Sequence, residues 1–257
     1  MLTEDQLEAL SDRYLVSIYQ QMEKDVIQDI ARRVRKTERL TETAELMARS
    51  MAENGYSTDK ILAEVMKTLR ADPEYRKLVA ENTKEYKQFV SDEIKRTVKE
   101  AKKDGNKLVA EAGDMAYNND LSMWEQAGQQ LPQSSAQLDQ IVGSFQKDIT
   151  GQLKNLTKTT GFKGTLLGTT GVETAYQRTL DVALVEVATG TFSYDEACNR
   201  VVKELARSGL RSIDYASGRS YQLDTAARMC VRTGLNQMAN KGTESNCHAT
   251  GQDLVIV

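Results

Sequence analysis

From Glu4 to about Val34, apolar residues recur every three or four positions at Leu7, Leu10, Tyr14, Ile18, Met22, Val26, Ile30 and Val34, with Leu15 and Ile27 widening the stripe. That spacing puts them on one face of an α-helix, so the segment predicts a single helix of about 30 residues. It ends in the basic cluster Arg32, Arg33, Arg35, Lys36 and Arg39, which suits the partial negative charge at a helix C-terminus. A second helix over 41–53 stops at Asn54-Gly55, where glycine can take the left-handed conformation. Ser57 or Thr58 caps a third, with the face Ile61, Leu62, Val65, Met66 and Leu69. Pro73 suits a first helical turn. From there Tyr75, Val79, Tyr86, Val90, Ile94 and Val98 mark a fourth, long helix to about Lys103.

Between Asp104 and Pro132 the periodicity weakens around Gly105, Gly113, Asn118-Asn119 and Gly128, which predicts a junction near 126–134 and a short helix carrying Trp124. A helix over about 136–156 follows. The stretch from Thr159 to Gly171 holds four glycines and reads as a mobile or partner-ordered loop. After it, Val172, Ala175, Tyr176, Thr179, Leu180, Ala183, Leu184 and Val187 form a regular stripe closed by Thr189-Gly190. Ser193 and Glu196 form a capping box for a helix through Ala197, Val201 and Leu205, with Gly209 as its stop. A last helix is predicted from about Tyr221 to Ala239, and Gln252 to Val257 is the best strand candidate.

Composition supports the helical reading. Two prolines occur in 257 residues where usual frequency predicts about 13, so little in the chain breaks a helix. The fold class expected is mainly α: an elongated bundle of long amphipathic helices with a compact C-terminal helical region and a terminal β-strand. Three segments are expected: 1–126 as an N-terminal long-helix region, 127–171 as a junction with one helix and the Gly-rich loop, and 172–257 as a C-terminal helical core ending in the strand.

Charge narrows the function. With 34 basic and 37 acidic residues the net charge is −3, which removes the global attraction that a DNA-coating protein relies on and leaves room only for a local basic face. Lys84 to Lys107, with eight basic and five acidic residues, reads as a solvated helix. No apolar run approaches the roughly 20 residues of a membrane span. The acidic start, Met1-Leu2-Thr3-Glu4-Asp5, is unlike a secretory signal, so synthesis and assembly in a cytoplasm are expected. Three cysteines make no disulfide framework.

The chain is poor in catalytic chemistry. Its one histidine, His248, neighbours Cys247 in a predicted loop, and adjacent residues do not face each other as nucleophile and base. A zinc site needs about four ligands, and Cys198 and Cys230 lie on apolar faces. The glycines at 161–171 lack the strand and the Gly-Lys-Ser/Thr ending of a phosphate loop. Glu64, Glu93 and Glu204 fall on polar faces, and Glu186 at the edge of an apolar stripe. No catalytic residue, cofactor or metal is therefore expected, and the protein is not expected to be an enzyme. Arg228 and Arg232, four apart on one face, suit either an anion-binding fork or a structural salt bridge.

One segment carries a resemblance. Leu210-Arg211-Ser212-Ile213-Asp214-Tyr215-Ala216-Ser217-Gly218-Arg219, followed by Leu223-Asp224-Thr225-Ala226-Ala227-Arg228 and Val231-Arg232-Thr233-Gly234, resembles the tailed-phage minor capsid protein 2 family, relatives of the Mu gpF-like head morphogenesis proteins. Thr160-Gly161-Phe162, Tyr176 with Leu180-Asp181, and Gly190 through Tyr194 are similar to it as well, and the similarity covers essentially the whole chain, strongest over 159–257. The resemblance implies a structural protein of the phage head, incorporated inside the capsid at or near the portal vertex. The phage portal protein is its implied partner, with the major capsid or scaffold protein as a further candidate; no membrane and no sequence-specific nucleic-acid partner is expected, and the chain leaves room for contact with packaged DNA.

The resemblance carries over no catalytic residue and makes Tyr215, Gly218, Arg219, Arg228, Arg232 and Thr233 structural motif residues. In relatives the terminal strand continues into a β-rich segment that this chain lacks, so either the chain is truncated or processed, or its ordered part stops there. An ejected head protein with an enzymatic or toxin domain beyond residue 257 is the alternative, and a scaffold-like coiled-coil protein a third.

Three expectations follow for particular side chains. The stripes at 7–34 and 75–98 are longer than a domain of this size needs, which makes Leu15, Ile18, Met22, Val26, Tyr86 and Val90 candidate portal or capsid contacts. Arg228 and Arg232 should tie the 215–218 turn to the last helix, with about 1–3 kcal/mol at stake if a partner is left buried and unpaired. The terminal strand should pair with the Ser212 to Tyr215 stretch or with another chain.

Overall fold

A computed structural model describes residues 1–13, 15–131, 135–214, 217, 219–251, without the side chains of 13, 15, 38–42 and 135. The fold is mainly α. Among the described residues it has nine helices, α1 (Glu4–Arg13), α2 (Leu15–Lys36), α3 (Glu38–Glu53), α4 (Thr58–Ala71), α5 (Pro73–Gln126), α6 (Ser135–Lys158), α7 (Val172–Ala188), α8 (Tyr194–Ser208) and α9 (Leu223–Ala249). Four short strands, β1 (Thr160–Gly164), β2 (Gly168–Gly171), β3 (Arg211–Ile213) and β4 (Ser220–Gln222), form one antiparallel sheet in the order β2-β1-β3-β4.

The chain divides into two compact units, one of residues 1–20, 96–158 and 223–257, the other of 21–95 and 159–222. Each therefore draws on all three segments delimited in the sequence, and α2 and α5 contribute to both.

In the first unit α9 packs against α6 and α1, around Leu7, Leu10, Leu108, Ile149, Leu153, Val231, Leu235 and Met238. Small residues make the close approaches. A Cβ at Gly234 would lie 2.6 Å from two side-chain carbons of Ile149, and one at Gly113 2.6 Å from Val142 Cγ2. This corrects the expectation that the long helix ends near Lys103. Gly113 leaves a gap in the apolar pattern because a neighbouring side chain fills its place, and α5 continues through it to Gln126. The last helix likewise runs to Ala249 and takes Cys247 and His248, expected in a loop, onto α9.

In the second unit α7 lies against α3, α4, α8 and the first hairpin. Nine of its 17 residues are buried, as befits a helix with neighbours on several sides. The predicted boundaries of this half hold. Gly55, Gly190 and Gly209 all take positive φ at helix ends, and Ser193 and Glu196 make the full capping box. The first stripe is helical on both sides of Tyr14, which lies outside the described residues.

Two expectations about β structure are corrected. The Gly-rich stretch is a hairpin rather than a loop, with Gly161 opposite Gly171 and Gly164 opposite Gly168. Glycine is required at position 161, where a Cβ would lie 2.4 Å from the Thr170 carbonyl oxygen and 2.5 Å from Ile213 Cδ1. And β3 pairs with β1 on one side and β4 on the other, so the stretch from Ser212 is not the open companion envisaged for a terminal strand. That strand, residues 252–257, lies outside the described residues.

Candidate functional site

In the second unit α8 and the β1–β2 hairpin form the walls of an open groove of about 930 Å³. Local sequence explains its rigidity. The capping box fixes the start of α8, and Gly209 at φ 65° turns the chain out of it. Two side chains then fasten the hairpin to the helix. Ser208 Oγ donates to the Lys163 carbonyl (2.8 Å) and accepts from the Lys163 amide (3.1 Å), while Glu204 Oε1 accepts from the Leu166 amide at 2.8 Å. Gly164 permits this, because a Cβ there would meet the Glu204 carboxylate at 2.4 Å. Glu23 of α2 accepts from the Leu210 amide at 2.6 Å and secures the exit from α8.

The groove is basic. Lys163, Arg200, Lys203, Arg207 and Arg211 line it against two carboxylates, Glu196 and Glu204. Both carboxylates are engaged, Glu196 in the capping box and Glu204 on the hairpin amide. The Ser193 backbone and hydroxyl donors hold the Glu196 carboxyl below its ordinary pKa. Arg200 lies 4.9 Å over the Phe192 ring and 3.5 Å from Glu186. Burial raises the pKa of Glu186, with Arg200 pulling the other way. An adjoining concavity extends the site to Arg219, Ser220 and Tyr221. Such an array of guanidinium and ammonium groups on a fixed helix and hairpin can hold anionic oxygens. Among the described residues no cluster of three or more His, Cys, Asp or Glu is placed to bind a metal ion, and no helix is long and apolar enough to cross a membrane.

The residues singled out in the sequence fall elsewhere, with one exception. Met22, Val26, Tyr86 and Val90, expected as contacts to another chain, have no exposed surface. A side chain already enclosed by its own fold cannot touch a partner, so those stripes are core. Ile18 is half-buried, and the side chain of Leu15 lies outside the described residues. Tyr86 shows what the core uses it for: its hydroxyl donates to the Val172 carbonyl at 2.6 Å and its ring lies 5.9 Å from that of Tyr176. Burial pushes its hydroxyl pKa well above 10.

Arg228 and Arg232 do share a face, but their partners are on α1 rather than in the 215–218 turn. Arg228 Nε lies 3.0 Å from Asp12, and Arg232 pairs with Glu4. Tyr215 and Gly218 lie outside the described residues, and Thr233 is exposed on α9. Of these six motif residues, Arg219 joins the groove's extension. Glu93, expected on a polar face, is 8 % exposed, and Glu204 is half-buried under the hairpin.

Part of the groove was legible. Arg200, Lys203 and Arg207 are spaced three and four apart, opposite the apolar stripe of Ala197, Val201 and Leu205. Lys163 and Arg211 carry no such signal, because only the sheet brings them to the same place.

A model of one family, described as phage minor capsid protein 2, matches residues 56–257. The chain belongs to the phage minor capsid protein 2 family. The match spans α4 to α9, the whole sheet and both walls of the groove, and it includes the 159–257 region where the resemblance is strongest but not residues 1–55 of the essentially whole-chain similarity expected. Membership makes the chain a structural protein of a phage particle that acts with other phage head proteins. No curated protein and no solved structure gives a match.

Proposed function

We propose that this chain is a non-catalytic structural protein of the phage head, held inside the capsid at or near the portal vertex and acting during head assembly. The family match over residues 56–257 carries the reading. The portal protein is its principal partner, with the major capsid or scaffold protein as further neighbours. The apolar stripes being core, contact with a partner falls to side chains that remain exposed. These include Leu46 and Tyr56 in the second unit and Met123 and Met229 in the first.

Cross-linking mass spectrometry of purified virions tests this. The expected result is recovery of the protein with cross-links to the portal protein. Cross-links confined to the major capsid protein would remove the portal-vertex placement. Recovery from procapsids and absence from virions would replace the reading by a scaffolding role.

A further inference from the structure

We infer that the basic groove between α8 and the β1–β2 hairpin is a docking surface for the phosphate backbone of double-stranded DNA, held without regard to base sequence. The inference does not depend on the portal-vertex placement, because it concerns what the groove binds rather than where the protein sits.

Charge comes first. Six cationic side chains, Lys163, Arg200, Lys203, Arg207, Arg211 and Arg219, line the groove and its extension. Two carboxylates line the groove with them, Glu196 and Glu204, and Glu186 outside it offsets one more charge. Glu186 pairs with Arg200, Glu196 is held in the capping box and Glu204 on the hairpin amide. The local balance is thus three positive charges in a chain whose total is −3. Charge gathered against the overall trend indicates a polyanionic partner. Among the described residues Lys203 and Arg207 are exposed with no ion-pair partner, and Arg211 Nε is buried without a hydrogen-bond acceptor. The site therefore holds donors that the fold itself does not satisfy.

Spacing is the second observation. At 1.5 Å per residue, Arg200 to Arg207 covers about 10 Å of helix axis. A DNA strand advances about 3.4 Å along the axis per phosphate while winding around it, so successive phosphates are farther apart than that rise, and this face of α8 reaches about two of them. Lys163 and Arg211 line the same groove across from these side chains.

The lining decides between partners. Leu166 and Phe192 are the large apolar side chains in the groove, and the Phe192 face is covered by the Arg200 guanidinium. A protein partner wants a desolvated apolar and aromatic centre, whereas DNA interfaces are more polar and strongly positive. Single-stranded binding uses successive aromatic platforms, and the extension offers one ring, Tyr221.

The test uses the full chain and a short fluorescent duplex of random sequence, with anisotropy measured over a series of salt concentrations. Binding is expected to weaken with salt. Replacing Lys203 and Arg207 together by Gln should lower affinity and reduce the salt slope by about 0.9 for each phosphate that is no longer neutralised. Arg219→Gln, outside any helix, should act in the same direction. Lys84→Gln with Lys87→Gln, in the same unit on α5, should leave binding unchanged, and circular dichroism confirms that each variant folds. Equal affinity and slope in all variants would overturn the inference. So would a polyglutamate peptide that binds as tightly as the duplex and is released by the same substitutions, which would assign the groove to an acidic protein segment. A marked preference for a single strand would overturn the duplex assignment.

Discussion

Each unit contains an arginine paired with a carboxylate, and the two settings differ in almost everything except the chemistry. In the second unit Arg33 and Asp29 have side chains only 3 % and 4 % exposed. Arg33 Nε donates to Asp29 at 2.6 Å, and Nη1 donates to Glu85 at 2.9 Å and to the Asn82 carbonyl at 3.2 Å. Its guanidinium lies 6.0 Å from the centre of the Tyr86 ring. Burial works against the charged form, but hydrogen bonds and attraction from Asp29 and Glu85 outweigh it, and the Arg33 pKa is raised. In the first unit Arg228 meets Asp12 at 3.0 Å with side chains 46 % and 50 % exposed.

Water screens the second pair and barely reaches the first. An exposed pair contributes about 0–1 kcal/mol, whereas removing one partner of a buried pair costs about 3–5 kcal/mol by stranding the other charge. The sequence had suggested the reverse weighting. Arg228 and Arg232 stood out because they share a helical face, while Arg33 passed as one member of a basic helix end.

Substitutions can break this contrast, and the largest expected effect is at Asp29. Asp29→Ala should destabilise the second unit by about 3 kcal/mol, the low end of the range for a stranded buried charge, because Glu85 still faces Arg33. Amide hydrogen exchange over α7 and α8 would register the loss. Replacing both partners, Asp29→Leu with Arg33→Met, should recover most of it; failure to recover would mean that the hydrogen bonds, not the charge, stabilise this core. Next is Arg33→Lys, which keeps the charge but cannot donate to Asp29, Glu85 and Asn82 together. About 2 kcal/mol should be lost with the charge-assisted hydrogen bonds that a single ammonium does not remake.

On the other side of the comparison, Arg228→Ala and Arg232→Ala should each cost less than about 1 kcal/mol. That is below the 1–3 kcal/mol the sequence suggested, since no partner is left buried. Denaturation followed by Trp124 fluorescence reports on this unit. A loss above about 2 kcal/mol would show that the α1–α9 pairs act as more than surface charges. The smallest effect is that of salt. Raising ionic strength from about 0.1 M to 1 M shortens the screening length from about 10 to 3 Å. It should erase the cost of Arg228→Ala and leave most of the cost of Asp29→Ala.

The candidate site was half visible for a similar reason. A helix repeats its directions every three or four residues, so the cationic edge of α8 could be read from Arg200, Lys203 and Arg207 before any tertiary contact was known. Lys163 stands in what looked like a structureless glycine run. It was hidden because the glycines answer to distant atoms, Gly161 to Thr170 and Ile213 and Gly164 to Glu204.

Local chemistry therefore determined most of the helices and several of their ends on its own: the apolar stripes, the Ser193–Glu196 box, Pro73 at the start of α5, and the glycine stops at 55, 190 and 209 all act within a few residues of chain. Tertiary structure alone decided what lies across from each element. It turned a weak patch of periodicity into the continuous α5, made a glycine run a hairpin on α8, and buried Met22, Val26, Tyr86 and Val90. It also chose Asp12 and Glu4 as the partners of Arg228 and Arg232. The physical reason is range: a cap or a stripe is satisfied by neighbours in sequence, whereas close packing, strand pairing and the dielectric around a charge are set by whichever distant segments fill the same space.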